Sequence, residues 1–221
     1  MKRTVIFDLD GTLADTSGDL LRAANAALAV LGTGARLDPA DAEDRATALK
    51  GARAMLRRAL GRDGAADEGM VDRGVPPLLD AYRADIAAET RFYPGALDAV
   101  DRLLTRGDRV GICTNKPEGL AEALMRALDA RDRFHALLGA DTLPVRKPDP
   151  LHLTETVARA GGVVDRAVLV GDTITDIDAA AAAGMPCILV TFAGHDLSDL
   201  VAAARLDDYR DLDAAVDRLL P

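Results

Sequence analysis

Thr4-Val5-Ile6-Phe7-Asp8-Leu9-Asp10-Gly11-Thr12-Leu13-Ala14-Asp15-Thr16 is an apolar run that ends abruptly in two carboxylates one residue apart. Thr4-Val5-Ile6-Phe7, four successive β-branched or aromatic residues, read as a buried strand, with Leu9 following between the two acids. Gly11 then permits a turn that most residues resist. Asp8 and Asp10 therefore stand at a strand's carboxyl end, the edge of an open α/β sheet where ligands collect. Two acids so close repel each other, and a bound cation is the usual remedy. The arrangement points to phosphoryl transfer.

Working outward, strand-like runs at 4–9, 109–114, 136–140, 167–171 and 186–192 alternate with stretches at 96–106, 118–130, 150–160 and 176–183 that carry apolar residues at helical spacing. Gly107, Gly161 and Gly184 fall where helix stops are expected. This alternation predicts an α/β fold, a Rossmann-like parallel sheet flanked by helices. One segment breaks it. Between 15 and 89 no strand is evident, and 20–31, 40–49, 52–60 and 75–88 read as helices, with a Gly, Asp and Ala-rich loop at 61–69. The expected division is 1–14 with 90–221 for the α/β core and 15–89 for a helical insertion.

The chain has 221 residues, enough for a full core, and 29% charged and 49% hydrophobic residues, ordinary for a globular protein. A net charge of -9 argues against a general nucleic-acid-binding role. Met1-Lys2-Arg3 begins with positive charge, but the apolar run behind it is broken at Asp8, too soon for a signal peptide or a spanning helix. A cytoplasmic protein without nucleic-acid or membrane partners is expected. Cys113 and Cys187 both fall in strand-like runs and read as inert buried thiols.

Four segments, in order, resemble the motifs of the haloacid dehalogenase superfamily of phosphatases: Asp8-Leu9-Asp10-Gly11-Thr12; Thr114 at the end of its strand; Lys147 in Arg146-Lys147-Pro148-Asp149-Pro150; and Gly171-Asp172-Thr173-Ile174-Thr175-Asp176. The resemblance implies a helical cap inserted in the α/β core, with return near Phe92-Tyr93-Pro94-Gly95. It also implies roles. Asp8 is the nucleophile that forms an aspartyl phosphate and a ligand of Mg²⁺; Asp10 is general acid and base, with its carbonyl on the metal; Asp172 is the remaining metal ligand. Thr114 and Asn115 contact the substrate, and Lys147 balances the negative charge of nucleophile and transferring group. Asp176 reads either as a partner of Lys147 or of metal-bound water, or as a helix-start acid.

Asp10 separates this chain from dehalogenases and phosphonate hydrolases, which lack the second acid. Asp15-Thr16-Ser17-Gly18-Asp19-Leu20, Thr114-Asn115-Lys116-Pro117 and Tyr93-Pro94-Gly95 are similar to the phosphoglycolate phosphatase subgroup. In the insertion the likeness thins to Lys50-Gly51-Ala52-Arg53, where Lys50 and Arg53 either bind a substrate carboxylate or form a solvated helix face. Phe192-Ala193-Gly194-His195 replaces an aromatic Gly-Tyr, and His195 is either a surface-loop residue or a pocket wall. The leading expectation is a Mg²⁺-dependent phosphatase for a small phosphorylated metabolite such as 2-phosphoglycolate, acting as monomer or homodimer. A phosphomutase for a sugar phosphate, a pyrophosphatase or nucleotidase, and a non-catalytic metal-stabilised binding protein are the alternatives.

Overall fold

The computed structural model describes residues 2–62, 66–194, 197 and 199–221; His195 lies outside the described residues. In chain order the elements are β1 (Thr4–Phe7), β2 (Ala14–Asp15), α1 (Ser17–Val30), α2 (Ala42–Ala48), α3 (Ala52–Leu60), α4 (Glu68–Ala84) and β3 (Arg91–Phe92). There follow α5 (Ala96–Thr105), β4 (Arg109–Cys113), α6 (Glu118–Ala127), β5 (Ala136–Leu138), α7 (Pro150–Arg159), β6 (Ala167–Gly171), α8 (Ile174–Ala182), β7 (Cys187–Val190), β8 (Ala204–Leu206) and α9 (Leu212–Leu219). They fall into two compact units, Met1–Ala14 with Phe92–Pro221, and Asp15–Arg91.

The first unit is built on a six-stranded sheet in the order β5-β4-β1-β6-β7-β8, every neighbouring pair parallel. Helices cover both faces, which is why β1, β6 and β7 are buried at nearly every position and read as unbroken apolar runs rather than alternating ones. On one face Ile6, Leu138 and Leu169 pack with Leu153 and Val157 of α7 and Ala179 and Ala180 of α8. On β1, Phe7 meets Phe134 edge-on at 6.4 Å. Each such fully buried aliphatic or aromatic side chain contributes about 1.5–3 kcal/mol.

Register places the site. Phe7 is level with Ile112 of β4 and Val170 of β6. One step further, Asp8 therefore emerges between the ends of β4 and β6, its amide still donating to Val170 at 2.9 Å. Thr114 and Asp172 follow directly on either side. The carboxyl edges of three adjacent strands thus converge, although their residues lie far apart in sequence.

The second unit holds α1 to α4. Asn25 brackets Leu37, donating to its carbonyl at 2.9 Å and accepting its amide at 2.8 Å, and the buried Asp44 takes the Asp38 amide together with the guanidinium groups of Arg58 and Arg62. The helix expected over 75–88 instead runs over Glu68–Ala84, through two prolines and two glycines. Asp67 starts it by accepting the Gly69 amide at 2.8 Å. Gly74 is admitted by packing: a Cβ there would stand 2.9 Å from Leu56 and 3.1 Å from Leu31.

A sixth strand, β8, and the terminal helix α9 were not among the elements expected from sequence. Among the described residues, no helix is long and apolar enough to cross a membrane. Cys113 and Cys187 are buried free thiols, and burial pushes the Cys113 thiol up to about 11 and Cys187 higher still.

Candidate active site

The turn after β1 is made by Gly11 at φ 82°, a left-handed conformation that disfavours side chains. It folds Leu13 and Ala14 back so that both donate to the Leu9 carbonyl, at 3.0 and 3.1 Å. Asp8 and Asp10 are thereby presented from a rigid loop. Asp8 Oδ1 accepts the Leu9 amide at 2.7 Å and lies 3.1 Å from Lys147 Nζ.

Lys147 is almost wholly enclosed, and its Nζ also stands 2.6 Å from Asp176 Oδ1. Burial opposes its charge, but Asp176 and Asp8 together raise its pKa above that of an ordinary lysine, so it remains an ammonium ion. Its loop is braced twice. The Asn115 amide donates to the Lys147 carbonyl at 3.0 Å, and the Lys147 amide donates to His152 Nδ1 at 3.2 Å. Burial, then Lys147, lowers the pKa of His152 and keeps it neutral. The Lys147–Pro148 peptide is cis.

Asp176 serves two functions at once. Its Oδ2 accepts the Thr173 amide at 3.1 Å, the Thr173 hydroxyl at 2.7 Å and the Asp172 amide at 3.3 Å, capping α8. Its other oxygen holds Lys147. Gly171 makes room for this, because a Cβ there would come within 2.4 Å of Asp176 Cβ and Cγ. Asp172 in turn accepts the Thr12 hydroxyl at 2.8 Å, while the Thr12 carbonyl accepts the Tyr209 hydroxyl at 2.8 Å. Burial lifts the Tyr209 pKa well above its usual value, so the phenol keeps the proton it donates.

Carboxylate oxygens of Asp8, Asp172 and Asp176 all lie within 4.8 Å of one another. Burial, Asp176 and Asp172 push the Asp8 carboxyl up, against Lys147 and the Leu9 amide, to about 8. Three neighbouring acids, two of them paired with one ammonium and one driven toward protonation, are suited to a hard divalent cation with oxygen ligands.

Thr114 is buried, and its hydroxyl oxygen accepts the Lys116 amide at 3.2 Å, leaving the hydroxyl proton to donate elsewhere. Lys50 and Arg53 belong to the second unit. Arg53 pairs with Asp72 and, at 3.2 Å, with Glu68, whereas Lys50 is exposed beyond α2 and has no ion-pair partner among the described residues.

Four residues at the site escaped the sequence reading: Thr12, Lys116, His152 and Thr173. Lys116 is the most consequential, its ammonium lying 3.0 and 3.1 Å from the two carboxylate oxygens of Asp10. Its place in Thr114-Asn115-Lys116-Pro117 was the available signal, but a lone lysine normally indicates a solvated surface.

Residues 2–184 match the family of haloacid dehalogenase-like hydrolases. A phosphoglycolate phosphatase from Mesorhizobium japonicum is 43% identical over 87% of this chain and 84% of its own length. One from Agrobacterium fabrum is 38% identical over 96% of this chain and 91% of its own. The crystal structure of CbbY from Rhodobacter sphaeroides in complex with phosphate superposes with a TM-score of 0.79 at 26% identity, covering 98% of this chain and all of the other.

Proposed function

The chain belongs to the haloacid dehalogenase-like hydrolase family and is a phosphoric monoester hydrolase, and we propose that it is a Mg²⁺-dependent phosphatase acting on 2-phosphoglycolate through an aspartyl phosphate. The observation that carries this reading is the enclosed constellation of Asp8, Lys147, Asp172 and Asp176 beside Asp10 on one sheet edge. The proposed substrate follows the relatives, two of which are named phosphoglycolate phosphatase at 43% and 38% identity.

Asp8 attacks phosphorus, and the bond to the leaving alkoxide breaks as Asp10 gives it a proton. Water then attacks the phosphorus of the aspartyl phosphate, Asp10 takes the water's proton, and Asp8 is released. Lys147 stays within reach of Asp8 throughout and offsets the charge on the transferring oxygens. Thr114 donates its hydroxyl proton to a phosphoryl oxygen. Asp8, the Asp10 carbonyl and Asp172 would hold Mg²⁺, and Asp176, which pairs with Lys147, would support them. When bound, the ion keeps Asp8 ionised and neutralises phosphoryl charge.

The helical unit acts as the cap. Of its two proposed substrate cations, Arg53 is already engaged by Asp72 and Glu68, so Lys50 has the charge to offer a substrate carboxylate. The test is phosphate release from 2-phosphoglycolate, sugar phosphates, nucleotides and pyrophosphate, each with Mg²⁺ and with chelator. Preference for 2-phosphoglycolate that chelator abolishes supports the reading; preference for a sugar bisphosphate, or Mg²⁺-independent release, contradicts it.

A further inference from the structure

Among the described residues, a second lysine is enclosed beside the nucleophile loop. The Lys116 side chain is 4% exposed, and both oxygens of Asp10 face its ammonium. Burying an ammonium ion is costly unless it is paired, and the desolvation cost of a buried pair can exceed its Coulombic gain, so stability alone does not account for one. The geometry around Lys116 is fixed from three directions. Its amide donates to Thr114 Oγ1 at 3.2 Å, its carbonyl accepts the Ala140 amide at 2.9 Å, and Pro117 leads directly into α6. Asp10 stands on the Gly11 turn, also held.

We propose that Lys116 is the positioning residue for Asp10, clamping both carboxylate oxygens so that the proton-transferring group stands at the leaving oxygen, and that the pair adapts this site to phosphomonoesters of unactivated alcohols. The inference rests on the reading of Asp10 as acid and base given above. An alkoxide leaves poorly unless it is protonated as the P–O bond breaks, whereas p-nitrophenolate leaves without help. In the first step the proton passes from Asp10 to the alkoxide, and in the second it passes from water to Asp10. Lys116 exchanges no proton in either. A misplaced Asp10 therefore impairs the first step for alkyl phosphates only, and the second step for every substrate.

Lys116→Met, Lys116→Arg and Asp10→Asn, measured with 2-phosphoglycolate and with p-nitrophenyl phosphate, test the proposal. For Lys116→Met, kcat on 2-phosphoglycolate falls about 10²-fold with KM little changed. With p-nitrophenyl phosphate the same variant shows a burst of p-nitrophenol followed by slow turnover, because the covalent step survives and its hydrolysis does not. Asp10→Asn shows the same pattern, and Lys116→Arg, retaining charge and donors, recovers part of the loss. Equal loss on both substrates without a burst, or a rise in KM with kcat intact, overturns the assignment of Lys116 while Asp10→Asn upholds the acid–base reading. Full activity of Asp10→Asn removes both.

Discussion

Asp176 holds Lys147 at 2.6 Å through one carboxylate oxygen while the other takes the backbone amides that open α8. Helix start and site cation are thus coupled through a single side chain. Asp176→Asn keeps an amide-accepting oxygen but removes the charge opposite Lys147. It is expected to lower kcat at least tenfold with KM nearly unchanged, and to destabilise the fold by about 3 kcal/mol, as losing one partner of a buried pair does. Steady-state kinetics and urea unfolding read the two effects.

Gly171 and Gly119 make a contrasting pair. A Cβ at Gly171 meets Asp176 carbons at 2.4 Å, whereas one at Gly119, in α6, meets nothing within 4 Å. Gly171→Ala is expected to cost about 1–3 kcal/mol and to reduce kcat as Asp176→Asn does. Gly119→Ala is expected to stabilise by about 0.5–1 kcal/mol, with activity intact. Thermal unfolding of both variants checks the contrast.

The raised pKa of Asp8 gives metal-free protein a defined pH dependence. With a pKa of about 8 in the folded chain against 3.8 for the ordinary carboxyl, the folded state binds the extra proton between these values. Stability attributable to Asp8 is therefore complete below about 3.8 and is lost as pH rises toward 8. In chelator, Asp8→Asn is expected to exceed wild type in Tm at pH 8, with the difference shrinking toward pH 4. A constant difference across that range contradicts the assignment.

The cation proposed for Asp8 and Asp172 is expected to stabilise the folded state by mass action, by about 2.7 kcal/mol at a hundredfold excess over Kd. Titrating Mg²⁺ into chelator-treated protein is expected to raise Tm with saturation. Asp172→Asn is expected to flatten the response.

The core was legible because β1, β4 and β6 are buried on both faces, which leaves continuous apolar runs ending at Asp8, Thr114 and Asp172. The rest was obscured for specific reasons. Pro76, Pro77, Gly69 and Gly74 conceal the first half of α4, since helix propensity counts against residues that tertiary packing of Leu31 and Leu56 admits. Strand β8 is three residues long at the sheet edge, and only Leu206 is buried in it. Lys116 carries no role legible in the sequence because its partner Asp10 lies 106 positions away and only the β1–β4 pairing brings them together.

Covalent catalysis by Asp8 is tested most directly by trapping. The Asp10→Asn variant, mixed with p-nitrophenyl phosphate and Mg²⁺, acid-quenched and reduced with borohydride, converts an acyl phosphate to homoserine at the phosphorylated residue. Peptide mass mapping is expected to find homoserine at position 8 in proportion to the p-nitrophenol released in the burst. Release of p-nitrophenol with position 8 unmodified, or modification at another carboxylate, contradicts the account.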